Sequence, residues 1–195
     1  MKGIILCMLT ILILISSSPA QVLNSSGTLR QGKFQVGAFL VDYENADIGI
    51  FGTGSYGLGP GFDLGVRLGL GYHETYLGAD LEWIVTTGKP ILSIAAGAHV
   101  FSDPGLDGTL NITFPINNQV HLYSGLDMDI NFAEVKQNNP RTGRSEENKD
   151  TRVPIWIFVG TEIGLRNNIS LLFELELDVS DDAWSIFSGG VNFML

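Results

Sequence analysis

Residues 62–72 read FDLGVRLGLGY, so that Phe62, Leu64, Val66, Leu68, Leu70 and Tyr72 alternate without a miss with Asp63, Gly65, Arg67, Gly69 and Gly71. Successive side chains of a strand point to opposite faces, so a period of two held over this stretch dictates a strand with one apolar face and one polar or very small face. The pattern returns down to the last residue. Alternation of the same kind predicts strands over 33–42, 47–57, 76–85, 91–101, 109–116, 120–132, 153–166, 169–179 and 184–195, ten in all with the first. The stretch 47–57 is the least regular of them.

Punctuation agrees with antiparallel neighbours. Gly59-Pro60-Gly61, Asn117-Asn118 and Asn167-Asn168 are tight-turn sequences, and 86–90 and SDPGLDG at 102–108 read as turn and loop by composition. Residues 133–152 break the alternation with polar, charged and turn-forming residues and read as one long loop.

The first twenty residues carry Lys2, an apolar run over 3–15 and small residues up to Ala20, the pattern of a secretory signal cleaved after Ala20. That run is shorter than the roughly 17 to 25 residues a spanning helix needs. The only cysteine, Cys7, lies within it, so the mature chain has no disulfide, thiol nucleophile or cysteine metal site. Residues 21–31 then form a polar periplasmic tail, and 32–195 a single domain.

Removing 1–20 takes away Lys2 and no acid, leaving 10 basic against 21 acidic residues, a formal charge of −11 that argues against nucleic acid as a partner. Glycine, at 24 of 195 residues, far exceeds the usual share of about 7% without a collagen period. A curved, tightly closed sheet explains it, because glycine permits bends and leaves room inside a small barrel.

Parity supports ten strands, with eight as the alternative. In a bacterial barrel both chain ends are periplasmic, short turns lie on that side and longer loops face outward. Counted back from Leu195, 133–152 then falls outside and both Asn-Asn turns inside. The polar face is largely glycine, serine, alanine and a few acids, which suits a cramped lumen better than a solvated exterior crowded with lysine and glutamate. Strands of about 9 to 11 residues match a bilayer. Phe34, Tyr72, Tyr76, Phe132 and Trp184, near strand ends, are expected at the membrane interfaces.

The carboxyl-terminal strand, WSIFSGGVNFML, ends flush with the chain and carries Phe187, Val191, Phe193 and Leu195 on one face. In this, and over nearly all of the mature length, the chain resembles the small outer-membrane β-barrel proteins of Gram-negative bacteria. The resemblance implies an all-β, single antiparallel up-and-down transmembrane barrel in the outer membrane. It also implies contact with outer-membrane lipid and lipopolysaccharide, and recognition of that last strand by the barrel assembly machinery. Family members usually end in an aromatic residue, whereas this chain ends in Leu195 with Phe193 two positions before.

The face assigned inward carries Asp63, Asp80, Glu82, Asp127, Asp129, Glu162, Glu174, Glu176 and Asp178 against Arg67 and Arg166, with His99 and His121 as further titratable groups. So many acids around two arginines must be hydrated, share protons, or attract cations. Two readings follow: a rigid lumen of hydrogen-bonded ion pairs centred on Arg67 and Arg166, or a narrow cation-preferring path with a site near Asp127 and Asp129.

Half of the mature basic residues, Lys136, Arg141, Arg144, Lys149 and Arg152, fall in the 133–152 loop among Glu134, Glu146, Glu147 and Asp150. Such a loop is solvated, or meets lipopolysaccharide phosphates or a surface partner. Catalysis lacks a signature: His73-Glu74 beside Thr75 is a lone pair, His99 and His121 have no serine at a diagnostic spacing, and no zinc or phosphate-cradling motif or cofactor site stands out. The expected function is a non-enzymatic outer-membrane barrel with a narrow, acidic, plugged lumen and a structural or surface-contact role. A small cation-preferring channel is the alternative, and a soluble periplasmic lipid-binding barrel a second one.

Overall fold

The computed structural model describes residues 23, 27, 29–44, 47–70, 75–101, 103–138, 145–180 and 184–195. The leader 1–20, most of the tail 21–31, Tyr72, His73, Glu74, Arg141 and Arg144 lie outside these described residues. Eleven strands follow in order: β1 (Phe34–Tyr43), β2 (Asp47–Gly59), β3 (Phe62–Leu70), β4 (Thr75–Thr86), β5 (Ile91–Phe101), β6 (Asp103–Pro115), β7 (Val120–Asn138), β8 (Ser145–Arg152), β9 (Ile155–Arg166), β10 (Ile169–Asp178) and β11 (Ile186–Met194). All pairings are antiparallel between sequence neighbours except that β7 pairs with β9 and β1 with β11. Ten strands thereby close into a barrel, and β8, paired with β7, stands outside the ring.

Closure comes from the chain ends, with β1 and β11 in register from Gln35 opposite Met194 to Tyr43 opposite Ile186. The tight connections β2–β3, β4–β5, β6–β7 and β9–β10 all fall at the end where β1 begins and β11 stops. Their chemistry is local. Gly61 adopts φ +78°, a conformation open to glycine, and the Asn117 side-chain oxygen accepts N–H groups of Gln119 and Val120 at 2.8 and 2.9 Å.

The faces sort as the alternation requires. Along β3, Phe62, Leu64, Val66, Leu68 and Leu70 are exposed on the outside while Asp63, Gly65 and Gly69 are buried within. Each barrel strand contributes at least one large exposed apolar residue, as Leu40, Ile50, Leu68, Leu81, Ile94, Leu110, Leu126, Ile157, Leu175 and Phe187 show in turn around the ring. An apolar belt without a gap is what surrounding hydrocarbon demands, whereas a water-soluble barrel turns its apolar face inward. At the tight-turn end the belt is rimmed by exposed Phe34, Tyr56, Phe62, Trp83, Phe114 and Phe193, the rings of Phe62 and Trp83 stacked at 5.9 Å.

Three expectations need correction. Tyr76 is not at the lipid interface; it is 2% exposed and points into the lumen, because its partner Gly69 and its in-phase neighbour Gly78 belong to the small face. Residues 103–108 are strand, not loop: pairing with β5, and from Gly105 onward with β7, overrides the turn propensity of the Asp-Pro-Gly and Asp-Gly steps. Within 133–152, β7 continues to Asn138 and β8 returns from Ser145, a hairpin whose register sets Glu134 opposite Lys149 and Lys136 opposite Glu147.

Inside, Phe39, Val41, Tyr43, Phe51, Tyr76, Tyr123, Phe158, Leu172 and Ile186 form a buried aromatic and aliphatic cluster. Glycine makes the room. A Cβ at Gly69 would strike the ring of Phe51, one at Gly160 the ring of Tyr123, and one at Gly190 that of Phe39.

Candidate lumen site

Each acid assigned to the small face is carried inward by the strand period. Asp63, Asp80, Glu82, Asp127, Asp129, Glu174 and Glu176 are all buried. Arg67 on β3 lies beside Asp80 on β4, Nη2 to Oδ2 3.0 Å, and its charge also acts on Tyr76, Asp107 and Asp127. On the neighbouring wall the Thr109 hydroxyl donates to Asp127, and the Ser93 hydroxyl donates to Glu82 at 2.5 Å.

A second group bridges three strands. His99 of β5 turns Nδ1 toward Asp107 Oδ2 at 3.3 Å and Nε2 toward Asn131 Oδ1 at 2.9 Å, with Asp129 Oδ2 at 3.8 Å from Nε2. One ligand atom each from His99, Asp107 and Asp129 lie within 4.8 Å of one another. One imidazole and two carboxylates are a donor set able to take a divalent cation. The same contacts also tie β5 to β6 and β7 without any ion.

At the tight-turn end the lumen opens into a cavity of about 270 Å³. Its lining includes His121, Glu162, Arg166, Ser170 and Asn192, with His121 Nδ1 3.7 Å from Glu162 Oε2. That volume has room for roughly nine waters at about 30 Å³ each. Arg166 is exposed at this rim, so of the two arginines it is Arg67 that meets a buried acid, Asp80. Asp178 is half-buried near the far end of β10.

The amino-terminal tail also contributes. Leu23 and Leu29 are 3% and 7% exposed, with the Leu23 N–H donating to Glu174 Oε1 at 3.0 Å and the Leu29 N–H to Asp63 Oδ2 at 2.6 Å. These two residues are buried against inward-facing carboxylates of β10 and β3.

Sequence reasoning missed Asp107, hidden in a turn-like motif. The signal was present: Asp107 is in phase with Thr109, Asn111 and Thr113, all inward on β6. Of the last strand, Phe187, Phe193 and Leu195 are exposed on the lipid face and Val191 is half-buried there.

No family model and no curated relative matches the chain. Solved structures do share its architecture. An outer membrane channel from Pseudomonas putida F1 superposes with a TM-score of 0.55 at 8% identity, over 91% of this chain and 100% of that one. The NanC porin gives 0.52 at 7% identity, over 82% and 100% of the two chains. At such identities the likeness is one of fold. With its lipid-facing belt, the chain is of the class of closed, antiparallel transmembrane β-barrels. Its particular fold is that of the small outer-membrane barrel proteins, here with ten strands and a projecting hairpin.

Proposed function

We propose that the chain is a non-enzymatic outer-membrane protein whose acidic lumen is closed, leaving a structural role and surface contact through the outer hairpin. The observation that carries this reading is the burial of large aromatic side chains on the inward face. Trp156 and Phe158 are 0% exposed, and Tyr123, Phe51 and Phe39 no more than 2%. Both described histidines engage carboxylates or an amide and not a hydroxyl, which favours scaffold over catalyst. In the membrane its partners are lipid and lipopolysaccharide, and during biogenesis the barrel assembly machinery reading Phe187, Val191, Phe193 and Leu195.

The second reading, a small cation-preferring channel, is favoured by a polar cavity at the tight-turn end and an excess of buried acids on the inward face. Single-channel recording of the refolded protein in planar bilayers separates the two. A silent bilayer holding folded barrel supports the closed lumen. Steady cation-selective steps that shrink in Asp127→Asn/Asp129→Asn make it a pore with an acidic filter.

A further inference from the structure

We propose that the amino-terminal stretch carrying Leu23 and Leu29 is the barrel's own plug, a ligand that the lumen wall is built to hold. The inference rests on the closed-lumen reading and identifies what completes the closure.

Both leucines precede the first strand, yet both are buried, and each gives its backbone N–H to a carboxylate of the wall. The two acceptors stand on different sides of the bore. Asp63 is on β3 and Glu174 on β10, four places apart in a ring of ten strands. The two described anchors thus hold the stretch to well-separated parts of the wall.

The wall is shaped for this passage. Gly57 N–H donates to Lys33 O at 3.0 Å, Gly32 N–H donates to Gly57 O at 2.8 Å, and a Cβ at Gly57 would strike the carbonyl oxygen of Arg30. Gly32 takes φ +76°, turning the chain from the tail into β1. At the far end Leu23 joins the cluster of Phe39, Phe51, Tyr123, Phe158 and Leu172.

The energetics favour an internal peptide over water. An eight-stranded barrel is just filled by its own side chains, so ten strands leave bore to spare. A buried carboxylate needs donors, and the tail's N–H groups supply them where arginine is scarce.

The mature chain contains no cysteine, so a single thiol reports cleanly on the tail. Leu23→Cys in the refolded, full-length mature barrel is expected to react with a bulky maleimide at least about tenfold more slowly than exposed Gln31→Cys, and at the same rate once unfolded. Removal of residues 21–29 is expected to turn a silent barrel, its fold checked by heat-modifiable migration, into one with steady cation-selective steps. Equal labelling of the two thiols in the folded protein overturns the plug. A folded truncation as silent as the full chain also overturns it and leaves a lumen closed by side chains alone. A full-length chain that conducts overturns the closed lumen itself, and the plug with it. If the truncation does not fold, the thiol rates decide.

Discussion

Arg67 shows what single residues do in this lumen. Its side chain is 14% exposed and lies 3.0 Å from Asp80, which is 9% exposed. Removing one partner of a buried ion pair leaves the other charge without compensation, which costs about 3 to 5 kcal/mol. Arg67→Leu should therefore destabilise the folded barrel by that order, read as a lower urea midpoint in detergent micelles. Arg67→Leu/Asp80→Leu should recover most of the loss, since the stranded carboxylate goes with its partner. Loss of stability in the double variant equal to that in the single one would show that the pair is not the relevant contact. Spacing alone revealed that Arg67 and Asp80 share the small face. That they touch follows from the β3–β4 register, which sets Arg67 opposite Gly78 and Asp80 opposite Gly65, one diagonal step apart.

Among the elements, the β7–β8 hairpin is the one the alternation could not disclose. Barrel strands are legible because lipid outside and lumen inside impose opposite demands on successive residues. Beyond Asn131, β7 leaves β6 and pairs with β8, and the sequence there loses its apolar face. A polar ladder without an apolar face carries no period-two signal. Strand β6 was misjudged at its start for a related reason, since Pro104 and Gly105 announce a turn that pairing on both flanks suppresses. Because β8 adds no strand to the ring, replacing 134–150 by a short Gly-Ser turn should leave heat-modifiable migration intact and shift the unfolding midpoint little. Failure of that variant to form a barrel would give the hairpin a part in closure.

At the scale of the whole molecule, the uninterrupted apolar belt decides the environment. Leu68 is 50% exposed on β3, on the same face as Leu64 and Val66 and six residues beyond the aromatic rim at Phe62. An arginine near the bilayer midplane costs about 2 to 4 kcal/mol, falling toward the interfaces. Leu68→Arg should thus impair insertion into lipid vesicles, measured as folded yield, while a rim substitution such as Leu58→Arg should be tolerated. Normal assembly of Leu68→Arg would count against a lipid-facing position for this residue.

Period, turn chemistry and parity are local or additive properties, and they sufficed for a ten-stranded antiparallel barrel with its apolar face outward. Hydrocarbon on one side and a confined lumen on the other leave each residue of a strand only two choices, written in its polarity. Which groups meet inside the lumen was decided by tertiary structure alone. The Leu23 N–H meets a carboxylate 151 positions away, and His99 meets Asn131 across 32. Such meetings depend on ring closure, on the width of a ten-stranded bore and on the glycines that clear space beneath the rings. No property of the separate strands encodes them, because the bore comes into being only when β1 and β11 join.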